Sequence, residues 1–203
     1  MAIAELAAQV EYYARLAYQR GLVGAAGGNV SARDPEEGLV AITPSGVSLR
    51  DVTAENLLYV DLEGKVVKGP GGLRPSKETP LHLSVYRARP QAGGIVHVHP
   101  SYATAYSLVG RPIPVRTVSA EMKLIQVPVV KKAAPGSPEL VRFLMEALST
   151  APDYAKVFLL EAHGLLGFER TLLEAFDLVE LAEETARTAY LADLLSGCCP
   201  AKI

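Results

Sequence analysis

The sequence predicts one α/β domain, and three observations carry that prediction. Segments with helical apolar spacing alternate with short β-branched runs closed by Gly, Pro or Asn. No repeat, low-complexity tract or Ser-rich linker divides the 203 residues, a length that buries a substantial core. Hydrophobic residues make up 49% and charged residues 21% of the chain, the balance of an ordinary soluble globular protein.

The first segment, MAIAELAAQVEYYARLAYQRG, has apolar residues at helical spacing and reads as an amphipathic helix over about residues 3–20. It lacks the basic leader and unbroken apolar run of a signal peptide. The small-residue stretch GLVGAAGGNVSAR breaks the pattern. LVAIT (39–43) is a strand closed by the turn Pro44-Ser45-Gly46, and NLLYVDLEGKVV (56–67) forms two short strands joined at Leu62–Gly64. GPGGLRPS (69–76) is loop. Thr79 then serves as N-cap and Pro80 as first helical residue of a helix running to about Arg87.

GGIVHVH (93–99) is a β-branched strand ended by Pro100, followed by a helix over Tyr102–Val109. VPVV (127–130) is a short strand, SPELVRFLMEAL (137–148) a helix and KVFLLEAH (156–163) a buried strand. Thr171 to Leu195 carries a long helical period with Leu and Ala on one face.

Several function classes are set aside at this stage. Net charge is −2 with no long basic run, so the cation cluster that displaces counterions from nucleic acid is missing. No run reaches the roughly 18–20 apolar residues that cross a bilayer. Neither nucleotide loop, Gly-x-x-x-x-Gly-Lys or Gly-x-Gly-x-x-Gly, occurs. Cys198 and Cys199 are adjacent, with no Cys-x-x-Cys pair. They read as incidental, and a reducing cytoplasm is the expected location.

The chemistry concentrates in the four histidines, His82, His97, His99 and His163. Strand side chains alternate faces, so His97 and His99 point the same way, about 7 Å apart at their Cβ atoms. Two such imidazoles either hydrogen-bond or converge on one cation at about 2.0–2.1 Å per bond. His163, at a strand end before Gly164, tips the reading toward metal, because a catalytic zinc site uses three protein ligands and one open position. His82 reads as a packing histidine or one that orients a neighbour.

Glu78 sits where a loop enters a helix. It is either a solvated glutamate favoured by the helix dipole or a proton shuttle beside a metal-bound substrate. Glu161, two residues before His163, either orients that ligand or faces outward, and Glu121 reads as structural. Gly27-Gly28-Asn29, Ser45-Gly46 and Ser76-Lys77 are separated small-polar loops. Each is a plain turn or part of a phosphate clamp built from close backbone N–H groups, hydroxyls and a lysine.

Taken in order, G-G-N-V-S (27–31), I-T-P-S-G (42–46), R-P-S-K-E-T-P-L-H (74–82), I-V-H-V-H-P (95–100) and E-A-H-G-L-L (161–166) resemble the class II aldolase/adducin-head family. The likeness runs from residue 5 to about residue 195. It implies a three-layer αβα sandwich with a mainly antiparallel central sheet, assembled as a homotetramer with active sites at subunit interfaces. His97, His99 and His163 match the family's zinc ligands, one Zn2+ per subunit. Glu78 matches its acid/base, which also touches the metal in the resting enzyme. Gly28, Asn29, Ser45, Gly46, Ser76 and Lys77 match positions that hold the substrate phosphate.

The activity so implied is reversible cleavage of a ketose 1-phosphate, such as L-fuculose 1-phosphate, to dihydroxyacetone phosphate and an aldehyde through an enediolate. Glu at position 78 favours the family's phosphate aldolases over its epimerases, which carry Asp. The alternatives are an epimerase or a methylthioribulose-phosphate dehydratase-like enzyme, and a non-catalytic adducin-like module; the latter predicts a damaged histidine triad, which this chain does not have. Two departures bear on the aldehyde side. Val118 stands near the place of a tyrosine from a neighbouring subunit, and a tyrosine-bearing C-terminal tail has no counterpart before Ile203.

Overall fold

The computed structural model describes residues 3–34 and 36–197; Cys198 and Cys199 lie outside them. Helix α1 (Ile3–Gln19) leads into β1 (Asn29–Asp34) and β2 (Leu39–Ile42). Two single 3-10 turns separate these from the hairpin of β3 (Leu58–Val60) and β4 (Val66–Lys68). There follow α2 (Thr79–Ala88), β5 (Gly94–Val98), α3 (Ser101–Leu108) and α4 (Val118–Lys123). The chain closes with β6 (Val129–Val130), α5 (Pro138–Thr150), β7 (Val157–Leu160), β8 (Gly164–Glu169) and α6 (Leu172–Leu195).

The strands form one eight-stranded sheet in the order β4-β3-β2-β1-β5-β8-β7-β6. Every neighbouring pair is antiparallel except β6 with β7. Side-chain alternation divides the core in two. Val96 and Val98 of β5 join Leu6, Val10, Phe176 and Val179 from α1 and α6 on one face. Ile95 joins Leu81, Tyr86, Leu140 and Leu144 from α2 and α5 on the other. This is the three-layer αβα arrangement with a mainly antiparallel sheet.

Local chemistry sets the helix starts. Ser137 accepts from the Leu140 N–H and Thr171 forms a reciprocal capping box with Glu174. At α2 the cap is Glu78, one residue earlier than expected, and its carboxylate makes no cap hydrogen bond. Thr79 is instead the first helical residue, with its hydroxyl donating to the Ser76 carbonyl at 2.7 Å. That shift turns the Glu78 side chain away from the helix end and toward the sheet.

Four elements depart from the sequence expectation. β1 lies inside the stretch read as a break, β8 is a strand where none is expected, and α4 is a further short helix. The strand expected to run to His163 stops at Leu160. The chain reverses over Glu161, Ala162 and His163, with Ala162 in the left-handed region at φ 54°.

Candidate metal centre and active site

The central strands carry the site. Asn29 of β1 is paired in register with His97 of β5, and His97 with Leu166 of β8. Asn29, Ser31 and His97 therefore share the face covered by α2, whose cap residue is Glu78. His99 follows directly after β5, and the β7–β8 turn presents His163. Gly164 makes this approach feasible: a Cβ there would stand 2.2 Å from the Val98 carbonyl oxygen. Gly28 is equally constrained, at φ +75° with its missing Cβ 2.8 Å from the His97 oxygen.

One ligand atom from each of Glu78, His97, His99 and His163 lies within 4.8 Å of the others. Nε2 of His97 stands 3.0 Å from Nε2 of His99 and 3.3 Å from Nε2 of His163. Two nitrogens bound to one tetrahedral ion at about 2.0–2.1 Å are themselves ~3.3 Å apart. The Glu78 carboxylate is 3.0 Å from His97 Nε2 through Oε2 and 3.6 Å from His163 Nε2 through Oε1. Oε1 is buried with no hydrogen-bond partner, an arrangement that a cation satisfies. The His97 Nδ1–H donates to the Leu165 carbonyl at 2.8 Å, aiming its other nitrogen into the cluster. The donor set thus fits a divalent ion.

Electrostatics support that fit. Burial lowers His99 to about 3 and His163 to about 4, and His97 pushes both the same way. Both rings are neutral at pH 7, the form that ligates metal. Burial raises Glu78, but His97, Asn29 and His163 outweigh it and hold the carboxyl far below the usual carboxylate range. Burial pulls His97 down, and Glu78 outweighs that to move it up. A cation at the centre competes with a proton for that lone pair.

His82 touches none of the ligand nitrogens. It is fully buried beneath Asn29, and burial lowers it to about 3. Its folded value lies below the unfolded one of about 6.5, so the unfolded chain takes the proton first. The stability contributed is complete above about pH 6.5. It falls by about 1.4 kcal/mol per pH unit as pH drops toward the folded value. Urea melts at pH 7, 6 and 5 should show His82→Gln less acid-sensitive than the parent by up to that slope; parallel losses reject this assignment.

The three polar loops lie at one end of the sheet. β1 begins just after Gly28, and Val30 and Thr43 exchange hydrogen bonds beside it. Ser45 N–H donates to the Arg74 carbonyl at 2.8 Å, and Ser76 N–H to the Thr43 carbonyl at 3.1 Å. Ser45, Arg74 and Lys77 line a cavity of about 270 Å³. The Ser76 hydroxyl accepts from the Glu78 N–H at 3.2 Å, joining this loop to the ligand cluster. Asn29 is engaged internally through its side chain, donating to Glu78 Oε2 at 2.9 Å.

Other sequence expectations end elsewhere. Glu161 does not share a strand face with His163, because the chain has already turned; its carboxylate accepts from the Lys132 N–H at 3.1 Å. Glu121 is exposed on α4. Val118 opens that helix and is 74% exposed.

The family model for the Class II Aldolase and Adducin N-terminal domain matches residues 8–190. The chain belongs to that family. An L-fuculose phosphate aldolase of Methanococcus maripaludis is 33% identical over 181 residues, covering 89% of this chain and 94% of the relative. A solved L-fuculose 1-phosphate aldolase matches with a TM-score of 0.85 and 31% identity over 96% of this chain and 89% of its own. The L-fuculose-1-phosphate aldolase from Thermus thermophilus gives 0.82 and 32% over 98% and 100%. Family and relatives make this chain an enzyme of the metal-dependent, class II aldehyde-lyase type.

Proposed function

We propose that the chain reversibly cleaves a ketose 1-phosphate, with L-fuculose 1-phosphate the first substrate to test, into dihydroxyacetone phosphate and an aldehyde. The observation that carries this reading is the convergence of Glu78, His97, His99 and His163 within 4.8 Å, at the sheet end that also gathers the Ser45 and Ser76 loops. Those four residues would hold the ion, proposed as Zn2+. A divalent ion there acts as a Lewis acid, stabilising negative charge that develops on substrate oxygens.

The chain's own groups supply the rest. Glu78 delivers a proton to the substrate carbon that loses its C–C bond, and removes it in the synthetic direction. Gly28, Asn29, Ser45, Gly46, Ser76 and Lys77 form the proposed phosphate site, which holds the reacting carbon in register. The proposal includes a single domain over residues 1–203 that acts on a small molecule as a cytoplasmic homotetramer with interfacial active sites. Among the described residues no helix is long and apolar enough to cross a membrane.

The deciding experiment measures zinc content and then follows aldehyde release from L-fuculose 1-phosphate against loss of water. Aldehyde with dihydroxyacetone phosphate supports the proposal; water loss without aldehyde replaces it with dehydratase chemistry. Within the site, Ser76→Ala should raise KM for phosphorylated substrates roughly tenfold or more, the worth of a hydrogen bond to a charged group. An equal rise for the unphosphorylated ketose would dismiss the clamp.

A further inference from the structure

Beneath the ligand cluster lies a run of buried polar side chains that metal binding does not use. Ser31, His82 and Tyr86 are fully buried and Asn29 nearly so, between strands β1 and β5 and helix α2, where the neighbours are Leu81, Leu83, Val85 and Ile95. Tyr86 Oη is 2.9 Å from Ser31 Oγ, which is 2.7 Å from His82 Nδ1. His82 Nε2 is 2.6 Å from Asn29 Oδ1, and Asn29 Nδ2 is 2.9 Å from Glu78 Oε2.

The direction of every bond in this run follows from its last member. An ionised carboxylate only accepts, so Asn29 must turn its amide nitrogen to Glu78 and its oxygen to His82. His82 Nε2 must then be the donor. Burial keeps that ring neutral, so Nδ1 has no proton and accepts from the Ser31 hydroxyl. Ser31 can in turn accept from Tyr86, whose phenol burial pushes up and keeps protonated. Reversing any link would set two donors or two acceptors face to face in a dry interior, a costly arrangement.

We propose that Tyr86, Ser31 and His82 are positioning residues for the reaction: they lock the Asn29 amide, which pins Oε2 of Glu78 and leaves Oε1 to exchange the proton with substrate carbon. The two oxygens already differ in the way this requires. Oε2 accepts from Asn29 and faces His97, whereas Oε1 is buried without a hydrogen-bond partner. Apolar side chains would fill the same space between α2 and the sheet without needing any partner, so a continuous polar run ending on this carboxylate points to its control. The inference rests on the proposed role of Glu78 and adds the device that aims it.

Two measurements test it. In protein labelled with 15N-histidine, the His82 ring, identified by its loss in His82→Gln, should show a neutral Nε2–H tautomer from pH 5 to 8. A neutral Nδ1–H tautomer or a protonated ring in that range overturns the chain of donors whatever the enzyme turns over. In the metal-loaded protein, hydrogen exchange at the carbon of dihydroxyacetone phosphate should fall 10–100-fold in His82→Leu, the usual cost of losing a partner behind a site. KM should stay within about twofold, and His82→Gln, which keeps an amide N–H near the ring Nε2 position, should recover most of the rate. If His82→Leu does not fold, Ser31→Ala and Tyr86→Phe each remove one hydroxyl and should lower exchange several-fold. Parent-like exchange in the folded variants defeats the proposal. A parent protein that exchanges nothing defeats the aldolase reading instead, while the tautomer result still judges the chain.

Discussion

Replacing Glu78 with glutamine is expected to leave the cation site loaded and to lower turnover by about 10²–10⁴-fold, the range for loss of a positioned acid/base. The amide is nearly isosteric with the carboxylate and its oxygen can still accept from Asn29 at the place of Oε2. The three imidazoles remain, which is the usual protein share of a catalytic zinc site. What disappears is the capacity to gain and lose a proton. Metal analysis of the variant, paired with hydrogen exchange at the carbon of dihydroxyacetone phosphate, separates the two roles. A loaded variant that still exchanges would remove Glu78 as the base; a variant that exchanges nothing because it holds no metal would make the carboxylate a ligand first.

The second large effect is on metal content. His163→Ala should bring stoichiometry from one ion per chain to well below one after dialysis. The affinity loss should exceed the 10–100-fold typical of a partner that only supports a ligand. His97→Ala should do the same, because Nε2 of His97 is within 3.0–3.3 Å of Glu78, His99 and His163. The His163 variant is the cleaner test. Its side chain is 12% exposed at the turn, whereas His97 is fully buried and its truncation also opens a cavity in the middle of the sheet. Full metal occupancy in either variant would strike that residue from the ligand set.

The sequence made the helices and the candidate cluster of three histidines and Glu78 readable, for different reasons. Helices α1, α5 and α6 show long apolar periods, and α5 and α6 carry side-chain caps, so their limits fall within a few residues of expectation. The histidines were readable because spacing along a strand decides which side chains share a face. Strand β1 was not, since Asn-Val-Ser-Ala-Arg-Asp is small and polar and looks like loop. Its polar residues have partners only in three dimensions: Ser31 and Asn29 are satisfied by His82, Tyr86 and Glu78. Strand β8 was hidden by reading one long strand up to His163, when the chain reverses at Glu161–His163. That same reversal sends Glu161 to the Lys132 N–H, a consequence of a positive φ at Ala162 that an alanine does not advertise.

Of the candidate ligands, His97 sits on a central strand and is fixed by backbone pairing on both sides, while His99, His163 and Glu78 reach it from the end of β5, the β7–β8 turn and the start of α2. Zinc fingers, by contrast, need their ion in order to fold at all. Here strand pairing and helix packing hold the imidazoles in place, so stripping the metal is expected to abolish turnover while far-UV circular dichroism stays at the parent level.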